Sequence, residues 1–211
     1  YQIWLAKQLI ESIQQAYNQL APVRIRHATT IVPNIAFNRR FILANGQVHM
    51  NPGVNNPKAI RTAGQADPTL HLLLFERISD KVTIGSFSNF AVHSDTFGGT
   101  LFSADYPGII AQHLQGKYGQ NFVSIFGLGT AGDLNHVDVK NPTNKLTTQL
   151  IGDKLGSALL NLSTKTAPVV PQMVAASTTL YAPLQAYSAE ELAFAYSNQA
   201  TLYPDTPFLT K

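Results

Sequence analysis

No cysteine occurs in the 211 residues, which excludes both a disulfide framework and a thiolate metal site. Any metal must therefore be held by His, Asp, Glu or Tyr. No apolar run approaches the ~20 residues needed to span a bilayer. Blocks of one charge are missing too, Arg39-Arg40 being the nearest thing to one. With 15 basic and 12 acidic residues the formal charge is only +3 and is scattered along the chain, so nucleic acid is not an expected partner. No Gly-Lys-Ser/Thr follows a glycine-rich stretch, which rules out a phosphate loop. Neither an internal repeat nor a linker is visible. There is no initiator Met and no signal-like opening, so the true N-terminus is expected upstream.

What is present is the composition of a globular protein: 45% hydrophobic and 13% charged, with 14 Gly and 12 Pro. Residues 2–20 place Ile3, Leu9, Ile10, Ile13, Ala16, Tyr17 and Leu20 at helical spacing, and Pro22 ends the run. Residues 23–32 alternate and are β-branched, the pattern of a strand. Residues 34–68, rich in Asn, Gly and Pro, read as a long ordered functional loop. Strands are expected at 70–76, 82–90 and 121–127, with the polar turn Ser79-Asp80-Lys81 joining the first two. Helices are expected at about 106–118, 145–162 and 188–200, and a β-like run at 173–181. Strand–loop–helix alternation predicts an α/β fold, a mixed β-sheet flanked by helices.

Two loops carry His, Asp and Gly together, each after a buried strand, where ligands bind in open α/β sheets. In the first, Asn89 to Gly99, His93 can present a neutral imidazole to a metal, with Asp95 as its hydrogen-bond acceptor or a further ligand. The plainer alternative is a buried histidine bonded to backbone at a turn. In the second, Gly127 to His136, three glycines let the backbone approach a ligand and turn N–H groups toward an oxyanion. Asp133 and His136 are proton-transfer or supporting candidates there. The alternative is a turn requiring positive φ, capped by Asp133. Arg39 and Arg61 could fork onto a carboxylate or carbonyl oxygen, or could simply anchor the loop. His27, His49, His71 and His113 read as structural or surface histidines.

Taken in order, Asn34 to Arg40 (NIAFNRR), NPG at 51–53, SNFAVHSDT at 88–96, SADYPG at 103–108 and GTAGDLNH at 129–136 resemble the neutral/alkaline, non-lysosomal ceramidases. The likeness covers about residues 1–165. It implies a zinc amidase acting on N-acyl sphingoid lipids, with zinc held by two histidines, a glutamate and a tyrosine. The second family histidine falls on His93. The first precedes the helix at 2–20, and the glutamate and tyrosine come from segments beyond 211. The resemblance thus implies that 1–211 is a central fragment of a single ceramidase-like catalytic domain, without internal boundary. The remaining segments of that domain would be its partners and would complete the metal site.

Arg39 falls on the arginine of the family's Asn-Arg-Ser-Pro motif and is implied to contact the substrate near the scissile amide. Arg40 replaces the family's serine. Gly132 and Asp133 match the Gly-Asp-Val-Ser-Pro motif, but Asn135 stands where the family has its proposed catalytic serine, followed by His136 instead of proline. An asparagine cannot be a nucleophile, although its amide can donate to an oxyanion. The expectation is metal-assisted amide hydrolysis with Arg39 and Gly132 at the substrate and Asn135, Asp133 and His136 in catalysis. A lipid amide substrate, peripheral membrane contact and a secreted or periplasmic location are implied by the family. The alternatives are a related zinc amidase or esterase with another acyl substrate, and a non-catalytic binding protein on the same scaffold.

Overall fold

The computed structural model describes residues 1–202, apart from 142, 144, 173 and 185. The chain divides into two compact units, Tyr1–Pro171 and Gln172–Lys211. The first opens with helix α1 (Gln2–Asn18), followed by β1 (Val23–Ile31). Four short strands come next: β2 (Phe37–Asn38), β3 (Arg40–Leu43), β4 (Val48–Met50) and β5 (Ala59–Thr62). They are followed by β6 (Thr69–Arg77), β7 (Thr83–Phe90), α2 (Asp105–Tyr118), β8 (Val123–Leu128) and β9 (Leu134–Asn135). Helix α3 (Thr148–Ser163) and β10 (Ala167–Val169) complete the unit. In the second unit the described element is α4 (Ala189–Leu202).

The main sheet has five strands in the order β10-β1-β6-β7-β8. All neighbours in it run antiparallel except β7 and β8, which are parallel. A parallel pair needs a crossover, and α2 supplies it. This is the mixed, helix-flanked α/β sheet that the alternation predicts.

Period-2 patterning explains which face is covered. Leu70, Leu72 and Leu74 of β6 are buried, and α3 packs across β6 and β1. Helix α2 contributes Tyr106, Ile110 and Leu114, while α3 contributes Ile151, Leu155 and Leu159, each set at i, i+4, i+8. The two helices lie unusually close. A Cβ on Gly152 would sit 2.5 Å from Ile109, and one on Gly156 would sit 2.7 Å from His113. On the opposite face of the sheet, Phe87, Val123 and Ile125 are exposed.

Two expectations need correction. Residues 34–68 are ordered but are not a single loop, since β3 pairs with β4 and β5 in a three-stranded sheet and β2 pairs with β9. These strands are too short to show a period, and the partner of β2 lies far away in sequence. The β-like run at 173–181 begins outside the described residues, at 173, and no strand forms over 174–181. That stretch is apolar enough to imitate a strand but pairs with no strand among the described residues. The strand forms earlier, at β10, against β1.

Candidate functional site

The parallel pairing of β7 with β8 sets Phe90 beside Leu128, so the loops that follow both leave from one edge of the sheet. Gly129 N–H donates to the Phe90 carbonyl at 3.1 Å. A Cβ on Gly129 would approach Ala91 to 2.9 Å, and one on Gly127 would approach the Phe87 ring to 2.5 Å. None of Gly127, Gly129 and Gly132 has a positive φ. Gly127 and Gly129 serve close approach, not an unusual turn, whereas a Cβ on Gly132 would meet nothing within 4 Å; Gly129 N–H is already engaged and cannot serve an oxyanion.

A third segment is brought in by the two-stranded β2–β9 sheet, in which Phe37 faces Asn135 and Asn38 faces Leu134. Arg39 follows directly. Its backbone N–H donates to the Asp133 carbonyl at 2.8 Å, and its Nη2 donates to the Gly132 carbonyl at 2.9 Å. Gly132 therefore meets Arg39 through its carbonyl. Arg39 Nε is buried and has no hydrogen-bond partner among the described residues. Asp133 turns the other way, its Oδ2 accepting from buried Asn38 Nδ2 at 2.7 Å.

Arg39, Asn51, Asp95, Asn135, His136 and Val137 border a cleft of about 300 Å³. His136 Nδ1 lies 3.5 Å from Asp95 Oδ1 and makes no hydrogen bond among the described residues. Asn135 donates through Nδ2 to Asn51 Oδ1 at 3.0 Å and accepts the Val137 N–H at 2.9 Å. One Nδ2 hydrogen is left over for a ligand. The structure thus gathers Arg39, Asp95, Asn135 and His136 in one place. Asp133 is not in the cleft lining, and neither is His93. Arg61 lies exposed on β5, its Nη1 reaching the neighbouring Thr62 carbonyl at 3.5 Å.

His93 follows the end of β7, half-buried, and its Nε2 is buried without a hydrogen-bond partner among the described residues. A buried imidazole nitrogen left open in this way fits the donor that a zinc ion requires. Among the described residues, however, no three His, Cys, Asp or Glu side chains converge on a common point. They fit a zinc site as contributor of one ligand, not as a complete set.

The loop after His93 is strapped to α2 by Asp105. Its carboxylate accepts the Thr96 hydroxyl at 2.6 Å and the N–H groups of Thr96, Phe97 and Tyr106 at 2.9, 3.0 and 2.7 Å. Burial pushes this carboxyl up, but those hydrogen bonds outweigh it and hold the group below the usual aspartate value. Tyr106, whose hydroxyl donates to the Val92 carbonyl at 2.7 Å, braces the same loop from beneath. Burial raises its phenol well above the ordinary range.

Sequence reasoning missed Asn38 and Asn51 as parts of the site. Asn51 has φ +51 and donates its N–H to the Arg39 carbonyl at 2.8 Å. An asparagine ahead of Pro-Gly is a turn signal that could have drawn attention to it; Asn38 lies within the NIAFNRR segment, but nothing local points to its bond with Asp133. The remaining histidines are structural or surface residues. His27 and His71 stack at 6.2 Å, and His113 meets Asp153 at 2.8 Å.

The fold that presents this cleft is a ceramidase-like α/β fold. Among solved structures the chain is similar to neutral ceramidase from Pseudomonas aeruginosa, with a TM-score of 0.52 and 21% identity over 74% of this chain and 25% of that one. A ceramidase complexed with C2 matches with a TM-score of 0.52 and 21% identity, over 72% of this chain and 24% of that one. The chain therefore spans about a quarter of the length of these structures. No family model matches the sequence, and no curated protein matches it significantly.

Proposed function

We propose that the chain is part of a zinc-dependent amidohydrolase domain that cleaves the amide of an N-acyl sphingoid lipid, completed by further segments of the same domain. The observation that carries this reading is the cleft itself. Three segments that the sequence resemblance singles out, around Arg39, Asp95 and Asn135–His136, are brought together on a fold similar to that of a neutral ceramidase. The open Nε2 of His93 supports the metal assignment.

His93 would be this chain's ligand, and zinc when bound supplies Lewis-acid and water-activating chemistry. The chain's own residues do the rest. Arg39, with Nη2 fixed on Gly132, borders the cleft and brings its guanidinium to the acyl oxygen. Asn135 is held by Asn51 so that its second Nδ2 hydrogen serves the oxyanion. His136, which borders the cleft beside Asp95, is the candidate for proton transfer. Asp133 acts through Asn38 and Arg39 by holding the β2–β9 junction in register. Export to the periplasm or outside the cell, and peripheral contact with a lipid surface, belong to the same proposal.

Metal analysis tests it. His93→Ala should abolish zinc retention by a protein that carries the complete domain, and amide turnover with it; full retention of both would sink the proposal. A second reading, a binding protein on the same scaffold, is favoured by Asn135, which offers no hydroxyl where the resemblance expects a serine. Absence of stoichiometric zinc from the complete protein would select that reading.

A further inference from the structure

We infer that residues 97–102, the tip of the loop that carries His93 and Asp95, insert their apolar side chains into a zwitterionic lipid surface. This rests on the proposal that the cleft bordered by Asp95 takes a lipid amide.

Three large apolar side chains fall within six residues here. Phe97 is 49% exposed, Leu101 is 77% exposed and Phe102 is fully exposed. None of the nine residues from Thr96 to Ala104 carries a charge, and every residue from 97 to 104 is exposed. A cluster of this kind facing water marks a surface that something else covers. The glycines between the aromatics are not there for packing, since a Cβ on Gly98 or Gly99 would meet nothing within 4 Å. Gly99, at φ +110, shapes the turn. The base of the loop, by contrast, is fixed. The Asp105 carboxylate accepts the Thr96 hydroxyl and the N–H groups of Thr96 and Phe97. Thr96 Oγ1 also lies 2.9 Å from Thr148 Oγ1 at the start of α3. An anchored stem keeps the apolar tip from folding back onto the protein.

Extent and charge select the occupant. The row on α1 and the exposed side of the main sheet are regular surfaces suited to a packed helix or sheet. The tip is a short irregular segment and offers a protein partner little of the area that a stable interface needs. A lipid surface demands no matching shape, and moving Phe and Leu side chains from water among acyl chains is favourable in itself. Asp95, 64% exposed at the foot of the loop, is an anion and disfavours anionic headgroups. The attraction is therefore apolar, and a zwitterionic surface suffices. Asp95 also borders the cleft, two residues ahead of Phe97, so insertion brings the cleft to the layer from which its substrate is drawn.

The probe is a suspension of phosphatidylcholine vesicles, co-floated with the 211-residue chain. The chain should float with them equally well at about 0.05 M and about 0.5 M salt, because salt screens charge and not apolar burial. Phe102→Ser should weaken partitioning about tenfold, and Leu101→Ser added to it about a hundredfold in all. Val123→Ser on the sheet and Ile10→Ser on α1 should change nothing, and far-UV circular dichroism confirms that each variant is folded. No flotation of the unaltered chain, flotation that survives the double variant, or flotation lost in high salt overturns the inference. So does loss with Val123→Ser or Ile10→Ser, or self-association of the free chain that Phe102→Ser abolishes, which would assign the tip to a second copy. Failure on vesicles alone leaves the proposed function standing. Vesicle binding by a complete domain that holds no zinc and turns over no soluble short-chain amide sinks that function and keeps the lipid-docking tip.

Discussion

Helices α1 and α3 are nearly the same length, 17 and 16 residues, and both are amphipathic, yet α3 buries seven residues and α1 buries none. In α3 the apolar row Ile151, Leu155, Leu159 lies between α2 and the sheet. In α1, Ile3, Ile10, Ile13 and Tyr17 stand in solvent at comparable spacing. Periodicity shows that a helix has an apolar side. It does not show whether anything lies against that side. Gly152 and Gly156 let α2 and α3 approach closely while α2 rests on β8 and α3 rests on β6 and β1.

The comparison can be broken by mutation. Leu155→Ala should have the largest effect, a loss of about 2–5 kcal/mol in denaturant unfolding, because it empties a fully buried site. A loss below about 0.5 kcal/mol would mean that α3 is no better packed than α1. Gly152→Ala should cost about 1–3 kcal/mol by overpacking, since the new methyl meets Ile109 on α2 at 2.5 Å. Helix propensity alone predicts the opposite sign there, a gain of about 1 kcal/mol. Ile10→Gln should be the smallest, within about 0.5 kcal/mol, as its side chain is already solvated. A cost approaching that of Leu155→Ala would reveal packing under α1 and erase the distinction.

The same logic sets how much could be read from the sequence. Long strands and helices carry their period within themselves, and β1, β6, β7, β8 and all four helices lie close to where the pattern puts them. The strands of residues 37–62 are two to four residues long and exist only through their partners. The apolar run past 173 shows the converse: pattern without a partner does not make a strand. At the site, His93, Asp95 and His136 were visible because His, Asp and Gly cluster after strands. Asn38 and Asn51 were not, since their bonds to Asp133 and Asn135 cross 95 and 84 residues of chain.

The β2–β9 junction also orders events in time. The β6–β7 hairpin closes over a short turn and can form early, whereas Asn38 meets Asp133 only after α2 and β8 are in place. A growing chain therefore carries most of its sheet before it owns a cleft. Any chain interrupted ahead of residue 133 would keep Arg39 and Asp95 but would lack the Gly132 and Asp133 carbonyls that fix Arg39 beside the cleft. In the growing chain the β2–β9 junction can close only after β8 and ahead of α3 and β10, and local unfolding at β9 would release Arg39 from Gly132 and Asp133.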